Sequence, residues 1–290
     1  MNNNYTVITD PGIDDLVALV LLYKLIPTAK NTLVSTFGNA TEEITSVNAK
    51  EFIAFIANLW NFKTGSTLPL NGKVERPWPD YFHGADGVWG VHPKVDTQNI
   101  KSDQSRASFK KILSLATLTD PLKLLRAGEI EEITLMGGAF GIEGNETKYA
   151  ETNMAFDPDA AHYFFREQKD IEVKVVPLDV TRKVFWSQNQ INTIPENNIV
   201  NIWLKQLLLT WFDKYNHDRE KDFNLHDPLA VYLQFYPNEA SWIMSGVEVV
   251  TEGEKRGQTI FSKENTSCKI AIDLIDADAI ADKIYEIIFL

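Results

Sequence analysis

Asp10, Asp14 and Asp15 crowd into "VITDPGIDDLVALVLL", residues 7–22, where an apolar run rich in β-formers gives way to an apolar helical one. Acids in the first turn of a helix complement its dipole, which rationalises one or two carboxylates at modest benefit. Three within a few ångströms repel, and one stays protonated unless a cation neutralises the group. The chemistry this spacing suggests is a divalent metal site. Its donors are hard oxygens with no Cys or His cluster beside them, which favours Ca2+ or Mg2+ over zinc. Ca2+ takes roughly six to eight oxygens in flexible geometry, so several carboxylates leave positions for substrate hydroxyls and a water.

A further acid stands in "NLHDPLAVYL", where Asp227 follows His226 and precedes Pro228 and a second apolar helical run. Asp before an N1 proline is also an ordinary N-cap, so Asp227 joins the metal only if the fold carries it there. An imidazole titrating near neutrality suits a general acid, which makes His226 a candidate for protonating a leaving group. His83 and His217 are the alternative donors. Alone, each histidine reads equally well as structural or solvent-exposed.

Such groups must be held at strand ends. Tyr5–Ile8 reads as a buried strand, Pro11-Gly12 as the turn, and Asp14 onward as a helix apolar nearly all round, hence buried. "TLVSTF" reads as a second strand ending at Gly38-Asn39, followed by a helix from about Thr41 to Trp60. "EITLMGG", "DIEVKVVPLDVT" and "SCKIAIDLI" read as strands and "DADAIADKIYEIIFL" as a terminal helix. Strands alternating with long helices predict an α/β fold: one open, mostly parallel sheet flanked by helices, forming a single domain over residues 1–290. In such sheets ligands bind beyond the carboxyl ends of the strands, which is where Asp10 falls. Residues 74–94, "VERPWPDYFHGADGVWGVHPK", are dense in Pro, Gly and aromatics and too long for a plain connection, so they read as a functional loop.

Composition narrows the function classes. Twenty-eight basic and 40 acidic residues give a net charge of −12, which disfavours phosphate-backbone binding and suits small substrates and divalent cations. Cys268 is the single cysteine, so no disulfide framework forms within the chain, and it reads as a small buried hydrophobe. "MNNNYTVITD" has no basic n-region or apolar h-region, and the longest apolar run, Leu16–Tyr23, falls short of the ~20 residues of a spanning helix. The expectation is a cytoplasmic protein with no nucleic-acid or membrane partner.

Taken in order, "TDPGIDD", "FGN", "HGADGVWG", "LMGGAF", "GN", "AETN", "DPDAA", "VPLDVT" and "HDPLAV" resemble the inosine-uridine-preferring nucleoside hydrolases over nearly the whole chain. The resemblance implies a mostly parallel sheet of about eight strands, a bound Ca2+, and hydrolysis of the N-glycosidic bond of purine or pyrimidine ribonucleosides to ribose and free base. By the same resemblance Asp10, Asp15 and Asp227 match the metal carboxylates. The Leu115 carbonyl completes them where "SLATLTD" aligns. Asp14 matches the residue that takes a proton from the attacking water. Asn39, Asn145, Glu151 and Asn153 match residues that grip the ribose hydroxyls, and His83 and His226 match histidines near the base. The resemblance also suggests a homodimer or homotetramer. The cleavage it implies builds positive charge on the sugar, which an electron-rich pocket stabilises. Trp203, Trp211, Phe212 and Tyr215 share one helical region. They read as core packing or, for Phe212 or Tyr215, as a wall over the base.

The chain departs from that pattern in three places. Ile8 stands where the family usually has an aspartate two positions before Asp10, "ATLTD" replaces "GPLTN", and Thr152 replaces an aromatic. These departures leave a non-catalytic or weakly active ribose or nucleoside binder as an alternative. A metal-dependent phosphatase is the other, and it is disfavoured because no Lys or Arg stands near the strand-end acids in sequence.

Overall fold

The computed structural model describes residues 4–57, 59–103, 110–215 and 222–290. Its strands are β1 (Thr6–Thr9), β2 (Thr32–Ser35), β3 (Asn61–Thr64), β4 (Lys111–Ser114), β5 (Glu132–Met136), β6 (Glu172–Val176), β7 (Phe185–Trp186), β8 (Phe223–Asn224), β9 (Ala240–Val249), β10 (Thr259–Ser262) and β11 (Cys268–Leu274). Its helices are α1 (Ile13–Leu25), α2 (Glu42–Phe55), α3 (Asp80–His83), α4 (Thr119–Arg126), α5 (Thr152–Phe156), α6 (Pro158–Glu167), α7 (Leu178–Thr181), α8 (Gln188–Asn192), α9 (Ile199–Lys214), α10 (His226–Phe235) and α11 (Ala277–Phe289).

Among the described residues nine strands form one sheet in the order β10-β9-β11-β6-β5-β4-β1-β2-β3, and β7 pairs with β8 apart from it. From β11 to β3 the strands run parallel, while β9 and β10 add an antiparallel end. The count exceeds the expected eight. The antiparallel end is built by strand return along β9, which needs no crossover helix and so leaves no mark on the strand–helix alternation.

Successive strand residues point to opposite faces. Val7, Leu33 and Leu113 join the apolar layer of α1, α10 and α11. Their neighbours Ile8, Val34 and Ile112 join the layer of Leu122, Phe164 and Phe165 from α4 and α6. Both faces are covered, so the central strands carry continuous apolar runs rather than alternation. α1 packs against both α10 and α11, which is why Leu16 to Leu22 are buried all round.

The helix expected to reach Trp60 ends at Phe55. Ala57 takes a left-handed φ of 64° beyond the cap, a conformation that terminates helices. Trp60 instead packs edge-on against Phe52, ring centroids 5.4 Å apart. No described helix is long and apolar enough to cross a membrane.

β1 lies between β2 and β4, so the connections leave it in opposite directions. A crevice opens at the carboxyl ends of the strands at such a switch point.

Candidate functional site

The crevice collects the acids. Asp10 leaves the end of β1 and Asp14 and Asp15 begin α1. Asp15 accepts three hydrogen bonds: from Thr9 Oγ1 (2.5 Å), the Gly12 amide (3.0 Å) and Asn39 Nδ2 (2.7 Å). Asn39 also donates its main-chain N–H to Asp10 Oδ2 at 2.7 Å. Asp227 arrives in the first turn of α10, which packs on α1. One carboxylate oxygen from each of Asp14, Asp15 and Asp227 lies within 4.8 Å of the others.

That cluster is costly as charged groups. Burial, and then Asp15, raises Asp14 to about 8. Burial and neighbouring carboxylates push Asp10 and Asp227 well above the ordinary range. The other oxygen of Asp10, Oδ1, is buried with no partner. Orphaned buried carboxylate oxygens and convergent acids are what a hard divalent cation satisfies, and the all-oxygen donor set fits one. The distance-matched group takes in Asp14 beside Asp15 and Asp227; Asp10, expected among the ligands, is not in it, and its Oδ1 is buried without a partner.

Gly38 makes room for this arrangement. A Cβ there would lie 1.8 Å from Asp10 Oδ2. Gly38→Ala is therefore expected to displace the Asp10 carboxylate and weaken divalent-cation binding by about tenfold or more, ~1.4 kcal/mol. Titration calorimetry checks this, and unchanged affinity would show that Asp10 is not needed for the ion.

Beside the acids lies a cavity of about 430 Å³, lined among others by Asp14, Asn39, His83, Glu151, His226 and Asp227. The 74–94 loop supplies Tyr81, Phe82 and His83 to its wall through the short helix α3. Phe82 meets Tyr215 at 4.7 Å and Trp211 at 5.4 Å, so these rings form an aromatic wall. Phe212 and Trp203 are buried in the core instead, and Trp203 donates its indole N–H to the Val91 carbonyl. The stacking wall expected at Phe212 or Tyr215 thus narrows to Tyr215, joined by Trp211 one turn earlier.

Both cavity-lining histidines are held away from neutral pH. His83 Nδ1 accepts the Ile13 amide at 3.2 Å, and burial, followed by the nearby His226, lowers its pKa to about 3. His226 Nδ1 contacts Thr181 Oγ1 at 2.7 Å. Burial first, then the Arg182 charge, lowers its pKa to about 4. Its expected titration near neutrality is therefore not met, because the ring is packed against the wall and a fixed cation. His217 lies outside the described residues.

The amides and Glu151 line the other side. Glu151 accepts the Asn153, Gly138 and Met154 amides and so caps α5. Asn153 Nδ2 donates to the Leu115 and Met136 carbonyls, each at 3.2 Å, so the Leu115 oxygen has one lone pair already engaged. Asn145 Oδ1 accepts the Thr152 amide at 3.0 Å, and both residues line the cavity. Sequence reasoning missed the support given by Thr9 and Thr181 and the lining residues Arg182, Asp222 and Asn224. Arg182 lines the same cavity as Asp14 and Asp227, although no Arg or Lys stands near the strand-end acids in sequence. It follows "VPLDVT" directly, and the fold, not linear spacing, brings it there.

The description "Inosine-uridine preferring nucleoside hydrolase" matches residues 7–282 of the chain. A probable uridine nucleosidase 2 from Oryza sativa subsp. japonica is 28% identical over 271 residues, covering 87% of this chain and 79% of that protein. The non-specific ribonucleoside hydrolase RihC of Salmonella paratyphi A is 30% identical over 275 residues, covering 85% and 83%. The solved plant nucleoside hydrolase PpNRh1 superimposes with a TM-score of 0.88 at 22% identity, over 100% of this chain and 99% of that one.

Proposed function

The chain belongs to the inosine-uridine preferring nucleoside hydrolase family, N-glycosyl hydrolases acting on ribonucleosides, and from that premise we propose a Ca2+-dependent cleavage with Asp14 as general base and His226 as leaving-group acid. One observation carries the reading: the oxygens of Asp14, Asp15 and Asp227 converge within 4.8 Å on a cavity large enough for a nucleoside. Asp10, Asp15, Asp227 and the Leu115 carbonyl would hold the ion. Bound there, Ca2+ supplies the charge that acidifies the attacking water and anchors the sugar hydroxyls.

The chain's own groups do the rest. Asp14 is turned about 100° around the helix from Asp15, so one carboxylate would hold the ion while the other would be free to take the water's proton. The bound cation would keep Asp14 ionised beside its acidic neighbours, ready to take the water's proton. Asn39, Asn145, Glu151 and Asn153 orient the ribose, and their oxygens favour the positive charge that grows on the ring as the bond breaks. His83 flanks the base. Thr181 Oγ1 would accept the Nδ1–H of the His226 imidazolium, which gives its Nε2 proton to the departing base and is left neutral; with its pKa lowered to about 4, the ring takes up that proton only as negative charge builds on the base. His226→Ala is expected to lower kcat on nucleosides by roughly 10²-fold with little change in Ca2+ affinity. An unchanged rate would remove His226 from this role.

The test of the whole reading is release of free base from uridine, cytidine, inosine and adenosine with and without Ca2+. Exhaustive chelation should abolish release and Ca2+ should restore it. Full activity after chelation would sink the metal role, and no release from any nucleoside would sink the activity. We also propose a cytoplasmic homodimer or homotetramer with residues 1–290 as one domain. The lone, buried Cys268 fits a reducing compartment, and sedimentation would give the assembly.

A further inference from the structure

Thr181 holds the His226 ring, and the next residue, Arg182, enters the same cavity wall. Arg182 is half-buried. Its Nη1 donates to the Glu143 carbonyl at 2.8 Å and its Nη2 to the Gly144 carbonyl at 2.9 Å, so these hydrogen bonds go to main chain rather than to a carboxylate. Among the described residues lining the cavity it is the one Arg or Lys, set against Asp14, Glu151, Asp222 and Asp227. A guanidinium carries five N–H donors and a charge that does not titrate in proteins, so further donors remain after these two bonds. It stands between the loop that presents Asn145 and the ring of His226.

Glycosidic cleavage breaks the bond from the sugar carbon to the base nitrogen and leaves the electron pair on the base. In a base bearing carbonyl groups, such as uracil or hypoxanthine, that pair spreads onto the exocyclic oxygens. The charge builds in the transition state more than in the bound substrate, so a fixed donor aimed at it accelerates the step rather than merely tightening binding. His226 offers one N–H to this charge, and a single donor cannot serve both the nitrogen and a carbonyl oxygen.

We propose that Arg182 stabilises the anion of the departing base, its free N–H donors reaching a carbonyl oxygen of that base. The inference rests on the nucleoside hydrolysis proposed above and adds a catalytic residue to it. Arg182 has a second duty, fixing the 143–144 backbone, and the test must separate the two. A slack loop weakens the grip on ribose whatever the leaving group is. Loss of charge stabilisation matters only when the leaving group needs it.

The experiment compares uridine and inosine with p-nitrophenyl β-D-ribofuranoside, whose p-nitrophenolate departs without help, for the Ca2+-loaded enzyme and its Arg182→Met and Arg182→Lys variants. Arg182→Met is expected to lose ~10²-fold in kcat on uridine and inosine and no more than a few-fold on the p-nitrophenyl riboside. Arg182→Lys loses the same forked hold on the loop but keeps the charge, so it should recover much of the nucleoside rate. Equal losses on both kinds of substrate, or no advantage of Lys over Met, would overturn the proposal and leave Arg182 as a loop anchor. Wild-type enzyme inert on every nucleoside would overturn the functional reading itself, and this inference with it.

Discussion

Asp14→Asn is expected to lower kcat on uridine or inosine by about 10³-fold, within the 10²–10⁴ typical of a lost general base, while Ca2+ stays bound. The substitution is nearly isosteric, so ribose and ion should still seat, and KM should move little. An amide cannot accept the proton that the water must give up. Removing this charge also relieves the repulsion on Asp15 and Asp227, both of which feel neighbouring acids. Above about pH 8, where the parent's Asp14 is ionised, cation-free Asp14→Asn should therefore melt at a higher temperature than the cation-free parent, a second readout that a misfolded variant would not give. Asp227→Asn is the contrast. It removes an oxygen from the ion itself, so its rate loss should shrink as Ca2+ is raised, whereas that of Asp14→Asn should not. Calorimetric Ca2+ titration alongside steady-state kinetics checks both. Full turnover by Asp14→Asn would remove Asp14 from the chemistry.

The parts of this site that a reader can find in the sequence are those held by local structure. Asp10, Asp14 and Asp15 span a strand end, a turn and a first helical turn, and that unit folds the same way wherever the sheet puts it. Asp227 was legible as an acid before a buried helix, but its place at the ion depends on α10 packing against α1, a contact made across more than 200 residues of chain. Supporting roles were not legible for the same reason. Asn39 joins Asp10 to Asp15 because β2 lies beside β1, and Asn153 reaches the Leu115 carbonyl because β4 and β5 are neighbours. The aromatic helix carried a signal that could have been used. Trp211 and Tyr215 are four residues apart and share a face, while Phe212 is turned about 100° away into the core. The departures at Ile8 and Thr152 look less severe in three dimensions. Ile8 fills the second apolar layer and Asp15 is held by Thr9 instead, while Thr152 sits in the cavity wall with its amide tied to Asn145.

Cation-free protein should lose stability as pH rises from about 6.5 to 8.5, and Ca2+ should abolish that loss. Asp14 is raised to about 8, and Asp10 and Asp227 are raised well above the ordinary range. A carboxyl whose folded pKa exceeds its unfolded value binds its proton more tightly when folded. Its contribution is complete in acid and disappears as pH climbs through the folded value. The groups with the opposite sign do not interfere in this window. Glu167, Glu172 and Asp273 are lowered by Arg or Lys partners, so their contribution fades only in acid. His83 and His226 are lowered by burial, and what they contribute is already complete above their ordinary value near 6.5. His92, raised by Glu51 and Asp86 against partial burial, shifts in the same direction as the acids, but its pairs are solvent-exposed and contribute little. One proton lost across two pH units corresponds to at most ~2.7 kcal/mol, or ~5 °C in Tm for a chain of this size. An ion at a hundredfold excess over its Kd adds ~2.7 kcal/mol of its own and replaces the protons outright. The Ca2+-induced rise in Tm should therefore grow steadily from the acid to the alkaline end of the window. A Ca2+ shift of the same size at every pH would mean that the buried acids do not share the ion, and the charge crowding at the end of β1 would need another explanation.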